Sequence, residues 1–88
     1  MPFRVEIAPA AGRDLKRLPP QVRSRLEPVI LALCDEPLPR GVRKVQGAED
    51  SYRVRVGDYR IIYDFHEEDK LVVVLRVARR WESSYRGI

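Results

Sequence analysis

Cysteine and histidine are almost missing from this 88-residue chain, which has one of each, Cys34 and His66. A single cysteine allows no internal disulfide, and with one histidine no Cys- or His-based metal site can assemble. Long apolar runs are missing as well: no stretch approaches the roughly 18 residues of a membrane span. The N-terminal MPFRVEIAPAAG carries Glu6 and has no long apolar run, so a signal peptide is not expected. A reducing, cytoplasmic setting with no membrane partner is the default. No Gly-rich phosphate loop, catalytic triad or paired-carboxylate arrangement stands out. Repeats, linkers and low-complexity segments are absent too. The length suits a single domain, residues 1–88, with one modest core.

What the chain has in quantity is arginine, which supplies 14 of its 17 basic residues against 13 acidic ones, for a formal net charge of +4. Arginine suits bidentate recognition of phosphate and carboxylate better than lysine does, so an acidic partner is expected. The densest signal lies in SYRVRVGDYRIIYDFH, Ser51 to His66. Tyr52, Val54 and Val56 alternate with Arg53 and Arg55, the period of a half-buried strand. Tyr59, Ile61, Tyr63 and Phe65 repeat that period, and Gly57-Asp58 between them fits a two-residue type II′ hairpin loop. Such a loop pairs Val56 with Tyr59, Arg55 with Arg60 and Arg53 with Ile62. Arg53, Arg55 and Arg60 then share one face. Like charges directly across a strand pair are destabilising, so a polyanion or an acidic partner segment is the natural counterpart, unless the arginines simply solvate the outer face of the sheet.

The rest of the chain supplies a frame. Phe3, Val5 and Ile7 alternate as a first strand. Ala11, Leu15 and Leu18 give a short amphipathic helix stopped by Pro19-Pro20, and Val22, Leu26, Val29, Ile30 and Leu33 give a second one ending by Glu36. The two form an antiparallel hairpin whose apolar side covers a sheet face. Pro28 predicts a kink between Ser24 and Pro28, and Cys34 reads as a small apolar filler. Val42 to Val45 predicts a short edge strand. LVVVLRV, Leu71 to Val77, reads as a doubly covered strand, with Leu71, Val73, Leu75 and Val77 on the inner face and Arg76, Ala78 and Arg80 on the arginine side. His66, at a strand end beside carboxylates, reads as a surface residue. The fold class is α+β: an N-terminal strand, a helical hairpin, a mainly antiparallel twisted sheet of three to four strands, and a short basic tail.

With that order, YRVRVGDYRIIYDF (Tyr52 to Phe65) followed by an apolar strand and the basic RVARR (Arg76 to Arg80) resembles the RelE/ParE superfamily of toxins from bacterial and archaeal toxin–antitoxin systems. The likeness covers nearly the whole chain. It implies a RelE-like fold, a cognate acidic antitoxin held in a hetero-oligomeric complex, and no cofactor. RelE-like members cleave mRNA on the ribosome and ParE-like members poison DNA gyrase. A RelE-like active site has basic residues on the first hairpin strand, an arginine on the second, an arginine after the last strand and a C-terminal tyrosine. Those positions match Arg53, Arg55, Arg60, Arg80 and Tyr85. On that basis Arg60, Arg80 and Tyr85 are the candidate catalytic residues, with Arg53, Arg55, Arg76 and Arg79 binding RNA. Two departures stand out: the hairpin positions are often lysines in the best-known members, and the spacing from Arg80 to Tyr85 differs by a residue among relatives.

The resemblance implies a metal-independent endoribonuclease that inhibits translation. The 2′-OH of the RNA attacks the adjacent phosphate, leaving a 2′,3′-cyclic phosphate and a 5′-hydroxyl. Arginine forks neutralise the extra charge of the pentavalent phosphate but do not exchange protons near neutral pH. Tyr85 is then the candidate base, its pKa lowered by Arg60 and Arg80. A gyrase poison, and a degenerate member that binds only its antitoxin and DNA, are the alternatives.

Overall fold

The computed structural model describes residues 2–79. Its elements run β1 (Arg4–Ile7), α1 (Pro9–Arg17), α2 (Pro20–Ala32), β2 (Arg43–Lys44), β3 (Ser51–Val56), β4 (Tyr59–His66) and β5 (Leu71–Arg79). The strands form one sheet in the order β1-β5-β4-β3-β2. Only the β1–β5 pairing is parallel. The α+β class and the mainly antiparallel sheet follow the sequence expectation. The count of five strands includes the N-terminal one and a two-residue edge strand shorter than Val42 to Val45.

Proline places the helix boundaries. Leu18 and Pro19 each precede a proline, whose ring crowds the preceding residue out of the helical region; both are extended, with ψ of 146° and 149°. Pro20 then opens α2 at a position where the missing N–H costs nothing. Pro28 lies inside α2, which continues across it as one helix to Ala32. Lys16 and Arg17 occupy the last turn of α1, where cations complement the helix dipole. The helices cover one face of the sheet, α1 lying mainly on β5 and α2 reaching β3. Ala11, Leu26 and Ile30 meet Ile61, Tyr63, Val72 and Val74 there, all buried. Tyr63 is fully buried and its hydroxyl donates to the Pro37 carbonyl at 2.6 Å. Burial pushes its phenol well above the ordinary range, with Tyr52 beside it adding to the effect.

The hairpin has the expected register: Val56 pairs with Tyr59, Arg55 with Arg60 and Arg53 with Ile62. Gly57 has φ of 59° while Asp58 keeps a negative φ, which selects the II′ turn over I′. A Cβ added at Gly57 would lie 2.7 Å from Arg25 Nη2. Gly57→Ala should therefore cost about 1–2 kcal/mol from the left-handed backbone alone. A lowered urea midpoint at unchanged m-value would register it, and an unchanged midpoint would refute it.

β5 departs from expectation. Ile62 pairs with Arg76 but Tyr63 with Val74, so Leu75 is an extra residue at a bulge. Val72 and Val74, not Leu71, Val73 and Leu75, face the core, and the phase returns at Val77. The inserted residue shifts the alternation by one.

Candidate nucleic-acid interface

The face of the sheet opposite the helices carries the arginines in two neighbouring rows. Nearest the hairpin turn, Arg55 on β3 stands across from Arg60 on β4, which pairs in turn with Ala78 on β5. In the next row Arg43 on β2 stands across from Arg53, followed by Ile62 and Arg76. Arg43, Arg53, Arg55 and Arg60, with Gly41, line a hollow of about 200 Å³. Ile62 is 1% exposed and Ala78 5%, yet neither belongs to the main core cluster. Gly41, with φ of 87°, turns the chain into β2.

Two like-charged pairs therefore sit directly across from one another in adjacent rows. Like charges directly across a strand pair work against the pairing, whereas a phosphate chain laid over them receives several guanidinium forks at once. The hollow brings together Arg53, Arg55 and Arg60, three of the predicted site residues. It adds Arg43, which the sequence reading passed over. Its signal was there: within Val42 to Val45, alternation puts Arg43 opposite Arg53.

Arg76 and Arg79 are placed elsewhere. The Arg76 guanidinium grips Asp14 on α1 with Nε–Oδ2 at 2.8 Å and Nη2–Oδ1 at 3.1 Å. Asp14 Oδ2 also accepts the backbone N–H of Val77 at 2.9 Å. β1 pairs with β5 only as far as Val74, and beyond it this carboxylate stands in for the missing strand. Asp14 is one of the polar residues of α1 that sequence spacing left off its apolar stripe. Arg79 pairs with Tyr59, donating from Nε to its hydroxyl at 3.2 Å, with its guanidinium 5.8 Å from the ring centre. Asp14, Arg17, Tyr59, Arg76 and Arg79 line a separate cleft of about 470 Å³. Arg76 and Ala78 thus fall on the arginine side by register, as expected, while neither Arg76 nor Arg79 lines the hairpin hollow. Arg76 shares their row by register but directs its fork to the helix side, and alternation turns Arg79 toward Tyr59. Arg80 and Tyr85 lie outside the described residues.

The other tyrosines are also informative. Tyr52, Tyr59 and Tyr63 all belong to the helix-covered face or pack against its core. His66 sits at the far end of β4, 3.8 Å from Asp50 and 3.8 Å from Asp64, whose other oxygen accepts from Ser51 Oγ.

Known proteins resemble this chain in sequence and fold. Residues 5–83 match the family described as the ParE toxin of type II toxin–antitoxin systems, parDE. The toxin RelE of Mycobacterium tuberculosis is 34% identical over 86 residues, covering 97% of this chain and 88% of that protein. Among solved structures, the RelBE2 toxin–antitoxin complex of the same organism superposes with a TM-score of 0.80 at 32% identity, covering 91% of this chain and 100% of the matched one. The archaeal RelE–RelB complex of Pyrococcus horikoshii OT3 gives 0.81 at 34% identity, covering 93% and 99%.

Proposed function

Because the chain belongs to the ParE toxin family of type II toxin–antitoxin systems, we propose that it is a RelE-type member of it, a ribosome-dependent endoribonuclease that cuts mRNA and so stops translation in the cytoplasm. The observation that carries the reading is the hollow lined by Arg43, Arg53, Arg55 and Arg60. Four guanidinium groups around one concave surface suit a chain of phosphates, which relieves the repulsion between facing arginines. Relatives named RelE at this level of identity support the same branch.

The chemistry needs in-line positioning, proton transfer and neutralisation of one added negative charge, and none of these calls for a metal. Arg53 and Arg55 hold the RNA backbone. Arg60, joined by Arg80 from the tail, stabilises the pentavalent phosphate as charge accumulates on it. Arginine stays protonated throughout, so the base is another group. Of the chain's four tyrosines, Tyr52, Tyr59 and Tyr63 are tied to the helix side of the sheet, and Tyr63 is further disabled by the upward push on its phenol. Tyr85 is assigned as that base, a phenol whose proton an adjacent arginine would make easier to lose. Attack by the 2′-OH then gives a 2′,3′-cyclic phosphate and a 5′-hydroxyl.

The partner is a cognate antitoxin, as the RelE–RelB complexes of the relatives suggest, and the basic face suits an acidic segment of it. The match to a ParE-named family favours gyrase as a second target. Induction in bacteria separates the two: the nuclease reading expects cuts within the coding regions of mRNAs, and accumulating DNA breaks with intact mRNA would replace it with gyrase poisoning.

A further inference from the structure

We infer that Arg43 is a further RNA-binding residue, holding the phosphate next to the one that is cut. The inference rests on the nuclease reading and extends its site by one row of the sheet. Arg55 and Arg60 form the row nearest the hairpin turn, and Arg43 and Arg53 the next. Same-face rows on a strand are about 6.6 Å apart, and β2 lies two strands, about 9.5 Å, from β4. An RNA strand carries one phosphate per nucleotide, so a second row of forks meets a second phosphate.

The edge strand itself points to this role. β2 has only two residues, so little backbone pairing holds it. Its first residue is nevertheless set directly against Arg53, a like-charge contact that weakens the pairing. The neighbouring Lys44 pairs with Tyr52 and so belongs to the other face. Two adjacent cations on one strand thus face opposite ways, and only Arg43 lines the hollow. A side chain that costs its own strand stability and reaches the phosphate-binding surface acts on what binds there.

The test is single-turnover cleavage of mRNA on programmed ribosomes, with protein concentration and salt varied, for wild type, Arg43→Ala, Lys44→Ala and Arg60→Ala. Arg43→Ala should raise the half-saturating concentration about 10-fold, the worth of one charged hydrogen bond. It should leave the saturating rate within about 2-fold, because the reacting phosphate keeps its own arginines. Its log–log salt slope should be shallower by about 0.7, one single-strand phosphate contact. Lys44→Ala should match wild type in all three. The urea midpoint of Arg43→Ala should hold or rise, since a repulsive pair is removed. The assignment is overturned if Arg43→Ala binds with wild-type affinity and slope, if Lys44→Ala weakens binding equally, or if the midpoint of Arg43→Ala drops along with its affinity. Wild-type cleavage by Arg60→Ala is a different failure, because it removes the nuclease reading itself.

Discussion

Replacing Arg60 and Arg80 together by alanine should leave a soluble, folded protein that no longer arrests growth. Each guanidinium is assigned to charge that exists only in the transition state, and losing one such donor typically lowers the rate by about 100- to 1000-fold. Arg60 stands across from Arg55 on the face opposite the helices, so its removal does not open the core. The single variants should each fall by about that factor, in kcat and kcat/KM alike, because the interaction is absent in the ground state. Growth arrest by the soluble double variant at wild-type potency would remove RNA cleavage as the basis of toxicity.

Tyr85→Phe should produce a different signature. The aromatic ring is kept while the one group assigned to take the proton is lost. Cleavage should fall by roughly 100- to 10,000-fold, the usual worth of general acid–base catalysis, with ribosome binding near normal because every arginine is untouched. Arg53→Ala and Arg55→Ala should instead weaken binding as well as rate, since they meet the RNA before and during the reaction. The comparison needs single-turnover cleavage beside a ribosome-binding assay. A Tyr85→Phe protein that cleaves at the wild-type rate would place the base on another residue.

The parts of this molecule that were legible in its sequence are those with a local rule. A Gly-Asp loop between two alternating segments leaves one register for Val56 and Tyr59, so the facing of Arg53, Arg55 and Arg60 follows without tertiary information. Pro19 and Pro20 mark the helix break by sterics alone. β5 had no such rule. LVVVLRV is apolar at successive positions, so its facing is unreadable, and the bulge at Leu75 then shifts the phase. Asp14 and Arg76 are separated by 62 positions. Nothing near either residue in the chain announces that a helix carboxylate takes over from β1 at the free edge of β5. Arg43 was within reach, because a strand from Val42 to Val45 fixes its side once paired with Arg53.

The parallel pairing of β1 with β5 also governs when the protein can finish folding. It joins Arg4 to Leu71, so among the described strands β1 has no neighbour until β5 is in place. The hairpin of β3 and β4, by contrast, closes over two residues and forms on its own timescale. Such long-range closure slows folding and leaves sheet edges open in the meantime. The locally closed arginine hairpin can therefore form before the long-range pairing that completes the sheet around it.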